Sequence, residues 1–181
     1  MRDTMRLSAI LLLTALPFAA NAAGSDDSNP PTPTETTTEC KEGLVWDEKT
    51  KACVAPEDAR LDNDTRFKAV RELAYAGQPE AALRVLAAMT EGETDRVLTY
   101  KGFAHRKAGR IEEGMAYYNA ALTQNPDNLL ARSYMGQGLV EMGEMDLARL
   151  QRDEIRARGG EATWAFASLD RALRSGQTWS Y

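Results

Sequence analysis

Histidine is almost missing from this chain of 181 residues: it occurs once, at His105. One imidazole with no cysteine or second histidine nearby removes most metal sites and histidine-based catalytic schemes. Cysteine is nearly as scarce, with two residues, too few for a zinc or iron–sulfur set. A cationic excess is lacking as well, since 22 Lys and Arg face 27 Asp and Glu, which argues against a nucleic-acid partner. There is no Gly-x-Gly-x-x-Gly, no Walker loop and no Gly-x-Ser-x-Gly. The carboxylate pairs Glu57-Asp58 and Glu112-Glu113 are sequence neighbours, which point to different sides of a helix and read as solvated faces and cap charges. His105 falls at a helical packing position and is expected to be a satisfied, packed side chain. The expectation is a protein without catalytic residues, cofactor or metal.

What is present begins with a targeting pattern. Arg2 and Arg6 precede an apolar run from Leu7 to Phe18, and Ala20-Asn21-Ala22 has the small-x-small form of a cleavage site. Residues 1–22 therefore read as a secretory signal peptide, too short to span a bilayer, and no later segment is apolar enough to do so. The mature protein is expected to be periplasmic or secreted, with no transmembrane segment. Residues 23–39 are rich in Pro, Thr, Ser and Asp and nearly devoid of apolar residues, so they are expected to form a disordered linker. Residues 40–54 follow as a small unit in which Leu44-Val45-Trp46 favours a strand, Asp47 to Lys51 a turn, and Ala52 to Val54 a returning strand. In an exported chain, Cys40 and Cys53 are most simply a disulfide, worth on the order of 3 kcal/mol in the chain-entropy model. Trp46 is expected to pack on the first helix of the next domain, with a ligand-stacking platform as the alternative.

From about residue 60 to 181 the texture changes. Proline nearly vanishes, Ala, Leu, Arg and Glu dominate, and apolar residues recur at helical spacing. Glycines at 77, 109 and 143 mark helix stops. The spacing predicts an all-α domain with helices over 63–76, 79–90, 94–108, 110–124, 128–142, 144–158 and 161–175. Short connections make sequential helices antiparallel neighbours.

Two segments repeat. Gly102 and Gly109 recur as Gly136 and Gly143, a shift of 34 positions in both cases (136 − 102 and 143 − 109). Leu98, Gly114, Tyr118, Ala121 and Pro126 complete the first unit, and Leu139, Ala148 and Ile155 fall at set offsets in the second. An earlier unit over 63–94 carries Leu73, Gly77, Ala82, Leu86 and Met89, but Val70 and Thr94 stand where a small residue and a proline would be. Arg152 replaces an aromatic residue and Gly160 the closing proline in the third unit. The final helix, with Trp164, Phe166, Leu169 and Leu173, is expected to close the stack.

Over residues 95–158 this pattern resembles the tetratricopeptide-repeat (TPR) family in its exported bacterial form. The resemblance implies a solenoid of about three helix pairs plus a C-terminal capping helix. It also implies a non-enzymatic adaptor that holds a partner peptide or helix in a concave groove. Carried over position by position, the groove would be lined by Phe67, Arg71 and Tyr75 from the first unit. The second would add Arg96, Thr99, Phe103, Arg106 and Lys107. The third would add Leu130, Ser133, Gln137, Val140 and Glu141. Aromatic anchors mixed with cations suit an acidic peptide partner. The family's Lys/Asn clamp for a terminal carboxylate is absent, because Phe67, Arg71, Phe103, Ser133 and Gln137 occupy its places. The alternative is a cell-envelope glycan-binding module that uses the Cys40–Cys53 hairpin, with the repeats as scaffold.

Overall fold

The computed structural model describes residues 29–178. The expected signal peptide and the first part of the expected linker lie outside the described residues. The described chain is mostly helical. A short helix α1 (Glu35–Thr38) precedes the strands β1 (Val45–Asp47) and β2 (Ala52–Val54). Then come α2 (Asn63–Tyr75), α3 (Pro79–Ala87), α4 (Asp95–Lys107), α5 (Ile111–Gln124), α6 (Leu129–Glu141), α7 (Met145–Ala157), a 3-10 turn (Gly160–Ala162) and α8 (Trp164–Ser175). No helix among the described residues is long and apolar enough to cross a membrane.

The helices form antiparallel pairs, α2 with α3, α4 with α5 and α6 with α7. Each following leading helix lies in the seam of the pair before it. Thus α4 packs on α2 and α3, α6 on α4 and α5, and α8 on α6 and α7. The two kinds of helix start differently. The leading helix of each pair is capped by a side chain: Asp62 accepts from the Thr65 amide, Thr94 from Val97, Asn128 from Ala131, and Thr163 does the same for α8 at Phe166. The second helices have no side-chain cap. They follow a tight turn in which a glycine takes a left-handed conformation, as at Gly109 (φ 82°) and Gly143 (φ 81°).

Other glycines are required by space. A Cβ on Gly102 would lie 2.5 Å from the Tyr118 ring and 3.0 Å from the Gly114 carbonyl oxygen, where α4 crosses α5. By the repeat, Gly136 is the equivalent of Gly102 and should face its own partner helix, α7. A Cβ there meets Leu169 of α8 instead, at 2.5 Å. Arg152 stands where Tyr118 would recur, and it turns towards Asp170 (3.5 Å) and Asp153 (2.9 Å). Leu169, fully buried, thereby takes over the space that an aromatic ring fills one repeat earlier.

The disulfide joins Cys40 to Cys53, with their Cα atoms 5.5 Å apart. The strands pair antiparallel with Trp46 opposite Cys53. Asp47 shapes the turn by accepting from the Lys49 amide (3.1 Å) and the Thr50 hydroxyl (2.6 Å). The hairpin is part of the main core, because Val45, Val54 and Leu61 are buried in the same cluster as the α2 and α3 side chains. Arg66 of α2 donates to the Pro56 carbonyl (2.7 Å), and Arg84 of α3 to the Glu42 carbonyl (2.6 Å).

The linker expectation needs correction over residues 29–39. This stretch lies against α2, held by polar bonds that no apolar pattern announces. The Thr34 amide (2.7 Å) and hydroxyl (2.6 Å) donate to the Glu72 carboxylate. So do the Thr37 amide (3.1 Å) and hydroxyl. Arg71 donates to the Asn29 carbonyl.

Candidate functional site

All thirteen expected groove residues sit on the leading helices α2, α4 and α6. They are not displayed as an open groove. Phe67, Arg71, Tyr75, Thr99, Phe103, Arg106, Ser133, Gln137 and Val140 are buried. Arg96, Lys107 and Leu130 are half-buried, and Glu141 alone is exposed.

The reason is an aromatic plug. The Tyr75 ring stacks on Phe103 at 5.3 Å, and Phe103 lies 4.6 Å from Tyr134. Tyr75 and Tyr134 share a hydrogen bond of 2.5 Å between their hydroxyls. Trp164 of α8 approaches both, at 6.3 Å and 6.2 Å. The first and third helix pairs therefore touch directly, Tyr75 of α2 against Tyr134 of α6. Aromatic pairs of this kind stabilise beyond the area they bury, and Trp164 closes the plug as its half-buried edge. Burial pushes the Tyr134 hydroxyl well above its ordinary pKa.

Three members of the plug, Tyr100, Tyr134 and Trp164, were not among the expected site residues. The signal for two of them lay in the repeat, since Tyr100 and Tyr134 are one 34-residue period apart (134 − 100). Phe67 meets Tyr100 edge-on at 5.3 Å, which extends the plug into the first pair.

The expected cations are engaged inside the molecule. Arg96 lies over the Phe67 ring at 4.7 Å and pairs with Glu91 (2.7 Å) and Asp64 (3.0 Å). Asp64, Phe67, Lys68 and Arg96 line a cavity of about 330 Å³ between α2 and α4. Arg71 donates to the Tyr100 hydroxyl (3.3 Å) as well as to Asn29. Arg106 is fully enclosed, pairs with Glu141 at 2.5 Å, and donates to the Tyr118 hydroxyl at 3.4 Å. Its remaining amino group, Nη2, is buried with no acceptor. Lys107 sits over the Phe103 ring at 5.7 Å. Burial, with Arg106 next to it, lowers its pKa to about 8. Thr178, beyond the end of α8, donates its hydroxyl to Glu141. In the third pair, Gln137 donates to Ser168 of α8 (3.1 Å), so its amide ties the last helix down and faces no groove.

The leading helices are thus covered at three places by the chain itself: residues 29–38 over α2, the aromatic plug at the centre, and Thr178 over Glu141. A second cavity, of about 270 Å³, remains beside the first of these. It is lined by Pro30, Pro31, Pro33, Thr37, Glu72, Tyr75 and Ala76.

His105 is half-buried, stacked on Tyr117 at 5.1 Å, and takes the Arg110 guanidinium N–H on Nδ1 at 2.9 Å. Glu113 also reaches this nitrogen, at 3.0 Å. Burial is the largest cause that lowers its pKa. Trp46 is half-buried, its amide donates to the Thr36 hydroxyl of α1 (3.2 Å), and its indole N–H is enclosed without an acceptor. The Trp46 backbone thus joins the hairpin to α1. Among the described residues no group of three or more His, Cys, Asp or Glu is placed to hold a metal ion. Compared with known family models, characterised proteins and solved structures, the chain matches none.

Proposed function

We propose that the protein is a TPR-type adaptor of the periplasm or cell envelope, which acts without catalysis by holding an extended segment of a protein partner along its concave side. The observation that carries this reading is the chain's own segment over α2. Asn29 to Thr38 lies there much as a bound peptide would, through backbone and hydroxyl contacts to Arg71 and Glu72. Peptide binding by repeat solenoids draws on such backbone contacts with side-chain pockets between them. The stacking of each leading helix in the seam of the preceding pair supports the repeat assignment. The disulfide supports an oxidising compartment.

The test is site-specific photo-cross-linking in an envelope extract. Photoreactive residues at Lys68 and Glu141, on the rim of the concave side, are expected to capture one partner, competed by a peptide of residues 29–39. Leu147, about half exposed on the outer helix α7, should capture none. Capture from Leu147 alone would move the working surface to the outer layer and end the groove reading.

A further inference from the structure

We infer that Glu72 and the adjoining apolar cavity form a receptor site for a proline-led segment with hydroxyl residues three apart, and that residues 29–38 are its built-in occupant. This inference deepens the adaptor reading and rests on it. It names the chemistry of the segment that the concave side takes.

Glu72 is 6% exposed, yet it is an acid in an otherwise packed helix face. A buried carboxylate persists only where donors replace its lost water. Here the donors come from one short piece of chain. Thr34 and Thr37 each give an amide and a hydroxyl, so both oxygens of Glu72 are satisfied by two residues three positions apart. The spacing is what makes the pair fit, because it brings both hydroxyls to one side of a helical turn. Upstream, Arg71 donates to the Asn29 carbonyl, a contact to backbone that any residue could supply.

Between these anchors the fit is incomplete. Pro30, Pro31 and Pro33 lie over Tyr75 and Ala76 but leave about 270 Å³ unfilled, and the lining is mostly apolar. Cavities that take whole small ligands start at roughly 300 Å³, so this space suits one bulky side chain of a peptide. A foreign segment that keeps the two hydroxyl residues and places an aromatic ring among the prolines would therefore bind better than the resident one. The resident segment compensates by proximity. It is joined through Cys40 to the hairpin, and the hairpin is fixed to α3 by Arg84. Such tethering gives an effective concentration of the order of mM, which a free competitor must overcome. The site is consequently shut to weak ligands and selective for a segment that also fills the cavity.

The experiment uses the purified, oxidised chain and a fluorescent peptide of residues 30–38, unchanged or with Pro31→Phe. In the protein, Thr34→Val together with Thr37→Val removes the two resident hydroxyl donors, keeps the two backbone amides and leaves Glu72 in place. Peptide affinity is expected to rise at least about tenfold over the unaltered protein. The Pro31→Phe peptide should bind more tightly than the unchanged one. Adding Glu72→Gln should abolish binding of both. The protein with Thr34→Ser and Thr37→Ser, which keeps the hydroxyls, should behave as the unaltered one. Replacing Pro30, Pro31 and Pro33 of the protein by Gly loosens the resident segment without touching its donors and must shift affinity in the same direction as the valine pair. Equal affinity in the unaltered, valine and glycine forms overturns the inference, and so does binding that survives Glu72→Gln. Peptide failure beside partner capture from Lys68 and Glu141 would remove this receptor and leave the adaptor reading standing.

Discussion

The leading helices and the second helices of the pairs are built to opposite plans. Helix α4 has 13 residues and buries eight, whereas α5 has 14 and buries three. Helix α6 buries nine and α7 only two, at equal length. A helix in a curved stack that contacted only its neighbours would keep one polar stripe. The inner helices have lost that stripe because their concave sides pack on one another through Tyr75, Phe103, Tyr134 and Trp164. The outer helices keep it, and they also leave Leu147 and Leu150 about half exposed. The lesson is that contact between non-adjacent pairs, beyond helix count, decides whether paired helices leave a groove or form a second core.

The most severe way to break this contrast is to empty the plug. Tyr134→Ala should cost about 3–5 kcal/mol in urea unfolding, as large-to-small changes of buried aromatics do. Leu150→Ala on the outer layer should stay within about 0.5 kcal/mol. Similar losses at both sites would erase the distinction. Next in size, replacing both Cys40 and Cys53 by Ala should cost about 3 kcal/mol, since it frees a loop with a sequence separation of 13. Glycine substitution separates two packing solutions. Gly102→Ala should lose about 1–3 kcal/mol against the enclosed Tyr118 ring and the Gly114 backbone. Gly136→Ala should lose less, because its nearest neighbours are the Leu169 side-chain atoms, more adaptable than a ring, with no backbone among them. Equal losses would show that Leu169 is held as rigidly as the ring.

The smallest effect is in the alkaline range. The Lys107 pKa is about 8 in the folded chain against 10.5 for a free lysine, so between these values the unfolded state holds more protons. Stability should therefore rise with pH from about 8 towards 10. Burial pushes Tyr118 up to about 12, and above pH 10 the folded state keeps a proton that the unfolded state has lost. Stability should then fall. Lys107→Met should flatten the rising limb of a thermal-melt series and leave the falling one.

The elements with periodic apolar patterns were legible in advance. The expected helices at 63–76, 94–108 and 128–142 appear as Asn63–Tyr75, Asp95–Lys107 and Leu129–Glu141, and the hairpin and its disulfide lie where strand propensity and the cysteine pair put them. The second helix ends earlier than expected, at Ala87 instead of residue 90, where the chain turns back towards α4. Two features escaped. The ordering of 29–39 depends on Glu72, which lies 38 positions from Thr34, and Thr and Pro carry no apolar period that would betray it. The closing of the groove depends on the angle between pairs, and no single helix encodes that angle. Its trace in the sequence is the recurrence of tyrosine at 100 and 134, one repeat period apart, which the repeat pattern at the glycines does not include.

The attachment of residues 29–39 through Cys40 also sets a length. Fully extended, these eleven residues reach at most about 36–40 Å. Once released from Glu72 and Arg71, the segment would swing as a leash of that radius about a pivot fixed to the hairpin. Whatever it carries at Asn29 would stay within roughly one molecular diameter of α2. Its return would be a short, confined search, so the site could be opened by a competitor and would close again without a second molecule.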